Sequence, residues 1–329
     1  MKAITQSRYG SAEVLEYTEV ERPTPKDGEV LVRVRAAGVD RAVWHLMTGL
    51  PYVVRPAIGL RAPRERVPGR DVAGVVEAVG AGVTRFKEGD EVFGVGVGTY
   101  AEYARAREDK LVRKPAGVGF EIAAVTPFGG LTALQAIRDL GGIGAGEGAG
   151  RRVLVIGAGG GVGTAAVQLA AAYGAHVTGV CSAGKADLVR SLGAAEIIDH
   201  TRRDVDTSGH GPRYDLVLDI AGNRPLGRLR RLLTPRGTLV IVGGEDGGRW
   251  FGGLGRTFLA PVRSLFTRQR LAMMVASENQ RDLAVLADLL ADGTLRPPVE
   301  ETLPLTDAAE AMRRLESGRV RGKLVLVVD

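Results

Sequence analysis

Gly157, Gly160 and Gly163 stand three apart where a strand-like VLVIG meets an alanine-rich run, in VLVIGAGGGVGTAAVQLAAAYGA (153–175). In the commoner G-x-G-x-x-G register, Ala158 takes the first glycine's place ahead of Gly160 and Gly163. Such a turn suits phosphate. It lets the backbone approach a pyrophosphate, and Gly160, Gly161, Val162 and Gly163 then lie where a helix N-terminus offers unpaired N–H groups and a partial positive charge. Beyond it comes VTGVCSAGK (177–185), with Ser182 and Lys185 in the following turn. NAD sites carry an Asp or Glu about 20 residues past the motif to hold the ribose 2′-hydroxyl. A carboxylate would repel the extra phosphate of NADPH, whereas a serine hydroxyl donates to it and a lysine supplies a point charge. The residues therefore favour NADPH. The alternatives are a glycine turn that serves packing alone, an ordinary exposed Lys185, and a Ser182 that only caps a helix.

Hydrophobic periodicity predicts the elements that must position these residues. From residue 153 the chain alternates strand and helix: VLVIG, a helix through Tyr173, VTGVC, a helix through Leu192, EIIDH, DLVLDI, a helix near 226–233, and TLVIVGG. Apolar β-branched strands separated by helices describe a parallel sheet covered on both faces. The first third is β-rich instead. In VLVRVR (30–35), Val30, Val32 and Val34 share one face and Leu31, Arg33 and Arg35 the other, a half-buried strand. DVAGVVEAVG (71–80) and GDEVFGVGVGTYAEY (89–103) add short strands punctuated by glycine, as in a barrel or sandwich. FEIAAVTPFGGLTALQAIRDL (120–140) reads as helix, a break at Pro127 to Gly130, then helix. Helices near 281–292 and 306–317 precede a closing strand, KLVLVV, that can pair back with the first domain.

A chain of 329 residues suggests about two domains, each able to bury its own core. Hydrophobic residues at 45% and charged residues at 25% match a soluble globular class. The formal charge of +6 comes from scattered residues, mostly arginine, without an aromatic-interleaved cluster or basic tail, so nucleic acid is not an expected partner. Cys181 is the single cysteine, which excludes an intrachain disulfide and a cysteine-based zinc cluster. The N-terminal stretch lacks an apolar signal region, and no run approaches the length needed to span a bilayer. A cytoplasmic location is the expectation.

AAGVDRAVWHLMTGLPY (36–52), VPGRDVAGVVEAVGAGVTRFKEGDEVFG (67–94), LTALQAI (131–137), the GAGGGVGTAAVQLA turn and helix, the CSAGK turn, YDLVLDIAGN (214–223) and RGKLVLVV together carry a resemblance over essentially the full length. The chain resembles a medium-chain dehydrogenase/reductase, and within that superfamily the zinc-free quinone oxidoreductase group. The resemblance implies an α/β protein. A GroES-like β-rich substrate domain would span 1–124. A Rossmann nucleotide-binding domain, a doubly wound parallel sheet, would span 125–270, and 271–329 would return to the substrate domain. It also implies a cleft where nicotinamide meets substrate, and a homodimer.

Zinc-dependent relatives place a cysteine shortly after the glycine at 38, and Gly-His-Glu where this chain has Gly69-Arg70-Asp71. Here Asp40 and Arg70 take the ligand positions, and the four-cysteine lobe is absent. Asp40, Asp71 and His45 would make a poor zinc set, so no metal is expected. Without a Lewis acid, reduction of an electrophilic acceptor is easier than alcohol oxidation. The implied activity is hydride transfer from NADPH to a quinone or activated alkene, the proton coming from water or a side chain.

Tyr52 resembles a position with an aromatic hydroxyl near substrate and is the leading proton donor, a half-buried packing tyrosine being the alternative. Asp40 stands where an asparagine usually lies near the nicotinamide. His200 stands where tyrosine is common, on the 2′-phosphate side with Ser182 and Lys185. Thr132 and Gly243 match positions that line the cofactor, and Asn223 and Lys323 extend that set. Two rivals stay open: reduction of a 2-enoyl thioester or enone, and a low-turnover, membrane-associated protein that binds NADPH.

Between Arg249 and Met274 there is no acidic residue, while Arg249, Arg256, Arg263 and Arg270 recur every seven. Seven residues are about two helical turns, so the later three arginines would share one helix face. A lid over an apolar substrate, a dimer contact, weak contact with an anionic membrane surface and a solvated stripe all fit 249–274.

Overall fold

The computed structural model describes residues 1–203, 205, 211–222, 224–244 and 248–328. The chain divides into two compact units, Met1–Leu131 with Glu278–Asp329, and Thr132–Ser277.

The first unit is built on a seven-stranded sheet around the strand Glu29–Val39. On one side run Asp71–Val79, Glu91–Val95 and Leu111–Arg113, all antiparallel. On the other, Lys323–Val327 pairs antiparallel with the second half of Glu29–Val39 and Tyr103–Arg107 with the first half, and Val299–Pro304 lies parallel beyond Lys323–Val327. The closing strand thus returns to the first unit. Val30, Val32 and Val34 face the core while Arg33 and Arg35 are exposed, as alternation demands. Leu31, expected on the arginine side, is buried too. It lies outside the cluster that holds Val30, Val32 and Val34, so the opposite face of the strand is covered at this position as well.

The helix Phe120–Ala124 is followed by another over Pro127–Gln135, which widens into a π turn at Ala136–Leu140. The expected break at Pro127 to Gly130 is therefore corrected: the helix restarts at Pro127. Proline needs no N–H partner in a first turn. Gly130 is there for packing, since a Cβ on it would meet Leu286 Cδ1 at 2.8 Å.

The second unit holds six parallel strands in the order Glu196–Asp199, His176–Cys181, Arg152–Ile156, Tyr214–Asp219, Leu233–Ile241 and Arg270–Met273. The chain moves outward one way from Arg152–Ile156, then crosses back and moves outward the other way. Such a reversal leaves a crevice beyond the C-terminal ends of the strands where ligands bind. The sixth strand corrects the expectation for the arginine-rich stretch. Its main helix spans only Leu254–Ser264, so Arg256 and Arg263 are helical but Arg270 opens a strand. Leu271 and Ala272 are buried by that pairing, which outweighs the helical spacing of the arginines. Among the described residues, no helix is long and apolar enough to cross a membrane.

Candidate functional site

The strand Arg152–Ile156 ends at Gly157, whose φ of +91° favours glycine. The N–H groups of Gly157 and Ala158 both donate to the Val180 carbonyl, at 3.1 and 3.0 Å, which fastens this turn to the end of the neighbouring strand. Gly163 is fixed by space: a Cβ there would lie 2.1 Å from the Gly157 carbonyl oxygen. The helix Gly161–Ala172 begins after Gly160 with no side chain capping it. A Cβ on Gly160 would find nothing nearer than the Gly157 carbonyl oxygen at 3.8 Å. Gly157, Gly160, Gly161 and Val162 stay half-buried, whereas Gly163 is buried. An uncapped helix start with room beside it fits a phosphate.

The next strand, His176–Cys181, leads into Ser182, which has extended backbone at the cap position of the turn Ala183–Lys185. The Ser182 hydroxyl makes no capping bond, so the turn does not use it. The Lys185 side chain lies against the glycine turn, because a Cβ on Gly159 would stand 2.6 Å from Lys185 Cδ. His200 follows the strand Glu196–Asp199, and its N–H donates to the Cys181 carbonyl at 3.2 Å. Ser182, Lys185 and His200 thus gather at one corner of the sheet.

The acid of that corner, overlooked in the sequence, is Asp199, in register with Cys181. It accepts Thr201 Oγ1 at 2.7 Å and the Thr201 N–H at 3.0 Å. Those two bonds hold its carboxyl below the usual range. Burial and the Asp199 charge push the Cys181 thiol up, away from a reactive thiolate.

Asp219, buried at the end of the strand Tyr214–Asp219, accepts Arg256 Nη2 at 2.6 Å and the Gly222 N–H at 3.3 Å. Arg256 also donates to the Arg224 carbonyl at 2.6 Å and to the Gly243 carbonyl at 3.1 Å. Burial pushes the Asp219 carboxyl up against the pull of Arg256. Gly243 admits no side chain, since a Cβ would fall 2.0 Å from the Ile220 carbonyl oxygen. Thr132 is buried within the helix Pro127–Gln135. Asn223 lies outside the described residues.

In the first unit, Asp40 caps the helix Arg41–Thr48, its Oδ1 accepting the Val43 N–H at 3.0 Å. Asp40 Oδ2 is also buried and, among the described residues, accepts no hydrogen bond. Asp71 opens the strand Asp71–Val79 and is 0% exposed. Both its oxygens lie 3.2 Å from the Phe128 N–H, and Lys323 Nζ is 3.8 Å from Oδ2. Burial raises the Asp71 carboxyl to about 8; Lys323 opposes the rise and the Asp40 charge adds to it. Tyr100 donates to the Gly38 carbonyl at 3.3 Å, and burial, then Asp40 and Asp71, push its phenol well up. Two acids, one ammonium and one phenol therefore share a desolvated cluster. No spacing signal marks the Asp71–Lys323 contact, because its members come from opposite ends of the chain.

Tyr52 opens the short turn Tyr52–Val54, half-buried, with the Arg55 guanidinium 4.4 Å from its ring centroid. Asp40 and Tyr52 flank the eight-residue helix Arg41–Thr48, which is about 12 Å long at about 1.5 Å per residue.

Arg70, at a zinc-ligand position of related enzymes, pairs with Glu278 at 2.5 Å, and Lys110 reaches the same carboxylate at 2.7 Å. His45 Nδ1 is 2.8 Å from the Leu50 carbonyl oxygen. No group of three His, Cys, Asp or Glu able to hold a metal ion occurs among the described residues. Arginine and lysine offer only donors, so neither Arg70 nor Lys110 can ligate zinc.

Residues 26–116 match the family described as the alcohol dehydrogenase GroES-like domain, and residues 192–326 that described as zinc-binding dehydrogenase. Over 334 residues the chain is 32% identical to the chloroplast envelope quinone oxidoreductase homolog of Arabidopsis thaliana, covering 99% of this chain and 98% of that one. The structure of the quinone oxidoreductase from Coxiella burnetii matches with a TM-score of 0.86 at 27% identity, covering 100% and 99% of the two chains. The structure of mycobacterial Rv1454c complexed with NADPH matches at 0.83 with 26% identity, covering 100% of both chains.

Proposed function

The chain belongs to the medium-chain dehydrogenase/reductase superfamily, in its quinone oxidoreductase group, and from that premise we propose that it is an NADPH-dependent, zinc-independent reductase of quinones or related activated carbonyls and alkenes. One observation carries the cofactor choice. Lys185 lies against Gly159 of the phosphate turn, the Ser182 hydroxyl beside it is not spent on capping, and Asp199 is engaged by Thr201. A cation and a hydroxyl donor suit a 2′-phosphate, and His200 adds a further donor.

In this reading Gly157, Gly160, Gly161, Val162 and Gly163 hold the pyrophosphate, while Thr132, Gly243 and Asn223 line the rest of the cofactor. Bound NADPH supplies a hydride, which with one proton takes a quinone to the hydroquinone level or saturates an activated alkene. Asp40 Oδ2, a buried acceptor, receives an N–H or O–H of the bound ligands. With its carboxyl raised to about 8 by burial, Asp71 keeps its proton at neutral pH and adds no negative charge beside Lys323. Tyr52 donates the proton. The remaining work is orientation and exclusion of water. The same reading includes a cytoplasmic homodimer.

The initial rate of NADPH oxidation with a simple ortho-quinone, measured beside NADH at equal concentration, tests this. Turnover at least tenfold faster with NADPH supports it, and a preference for NADH sinks the phosphate-site assignment. Tight NADPH binding without quinone turnover moves the substrate to a 2-enoyl thioester.

A further inference from the structure

The helix Leu254–Ser264 is inverted relative to an ordinary surface helix. Its arginine Arg256 turns inward onto Asp219, and Thr257 and Ala260 are buried beside it. Its large apolar side chains point outward: Phe258 is 61% exposed, Val262 52% and Leu265 81%. Those three stand four and three positions apart, which places them on one face. Trp250, Phe251 and Phe266 extend the exposed apolar surface at either end. Most of the exposed large hydrophobics among the described residues fall in this one stretch, and a contiguous patch of that kind marks a contact surface. The bond from Arg256 to a fully buried carboxylate holds the helix in this orientation.

Charge selects the occupant. Arg249, Arg263, Arg268 and Arg270 are exposed around the patch, and 249–274 contains no acidic residue. A second copy docked face to face would set arginines against arginines. A bilayer surface rich in anionic phospholipid offers opposite charge to the arginines, and an acyl boundary to the rings, where tryptophan is favoured. We infer that Trp250–Phe266 is an interfacial docking element that seats this protein on anionic membrane surfaces. The helix lies in the plane of the interface and does not span it. This inference rests on the surface alone and not on the proposed reaction.

Flotation of the full-length protein tests it, using phosphatidylcholine vesicles with roughly a third phosphatidylglycerol against pure phosphatidylcholine. Retention is expected on the anionic vesicles and falls in high salt as the charges are screened. Arg263→Glu should lower partitioning at least about fivefold, the worth of one arginine at such a surface. Phe258→Ser with Leu265→Ser should abolish retention; both side chains are exposed, so an unchanged melting temperature certifies the fold. No retention on anionic vesicles overturns the inference. So does retention that the serine pair leaves intact, because net positive charge alone would then explain it. A dimer in sedimentation that the serine pair dissociates also overturns it, assigning the face to a second copy.

Discussion

The side chain of Lys185 lies across Gly159, so that a methyl group on the glycine would stand 2.6 Å from Lys185 Cδ and 2.9 Å from its Cβ. Two separate turns, one ending the first strand of the nucleotide-binding sheet and one ending the second, therefore act as a single surface. Lys185→Ala should raise KM for NADPH about 10- to 100-fold, the worth of a charge-assisted hydrogen bond, and leave NADH within about twofold. Gly159→Ala should act in the same direction by displacing the lysine. Steady-state kinetics with both cofactors decides this: equal losses would make Lys185 structural.

Asp71 sets a pH dependence of stability. Its folded value of about 8 lies far above the ordinary carboxylate value of 3.8. Between those values the folded state holds a proton that the unfolded state has released, so stability is highest at the acid end and falls as pH rises toward about 8. Asp71→Asn keeps an acceptor for the Phe128 N–H and removes the titration. Its melting temperature should fall less than the parent's between about pH 5 and 8. Parallel slopes would refute the assignment.

Asp40 combines a cap with a free buried oxygen. Asparagine caps helices as well as aspartate does, so Asp40→Asn should change stability by less than about 0.5 kcal/mol, whereas Asp40→Ala loses about 1 kcal/mol. The asparagine replaces Oδ2 by a donor or rotates it away. Loss of kcat/KM at unchanged melting temperature would place Oδ2 against a ligand. Unchanged kinetics would confine Asp40 to its cap.

Arg256 neutralises a carboxylate that has no exposure of its own. Arg256→Met leaves Asp219 buried with its amide partner alone, and should cost about 3–5 kcal/mol. Adding Asp219→Asn should recover part of that loss. Thermal melts of the two variants check both the size and the recovery.

The sequence already exposed the features that depend on local pattern. Apolar β-branched runs between helices marked the parallel sheet, and glycine spacing marked the tight turn from strand to helix, because both signals lie within a few residues. What it hid depends on partners distant in the chain. Leu31 is buried on the face that carries Arg33 and Arg35, by neighbours that alternation within its own strand cannot reveal. Arg270 follows a helical spacing from Arg256 and Arg263 but opens a strand, because Thr238 to Ile241 lie alongside Arg270 to Met273. Arg256 looked like a surface residue until Asp219 supplied its reason to turn inward. The corner of Ser182, Lys185 and His200 was legible as residue types, but the stacking of Lys185 on Gly159 was not.

The strand Lys323–Val327 completes the sheet that Glu29–Val39 begins, and this fixes an order of assembly on the ribosome. The sheet made by the first 131 residues must wait, one edge open, until the final strand emerges. Thr132–Ser277 is by then fully synthesised and able to fold, since its strands pair only among themselves. Such delayed long-range pairing is slow and leaves an unpaired edge available to other chains. Asp71 waits as well: its counter-charge, Lys323, arrives with the strand that closes the edge. A nascent chain halted before residue 323 would carry a finished nucleotide-binding unit beside an unfinished sheet.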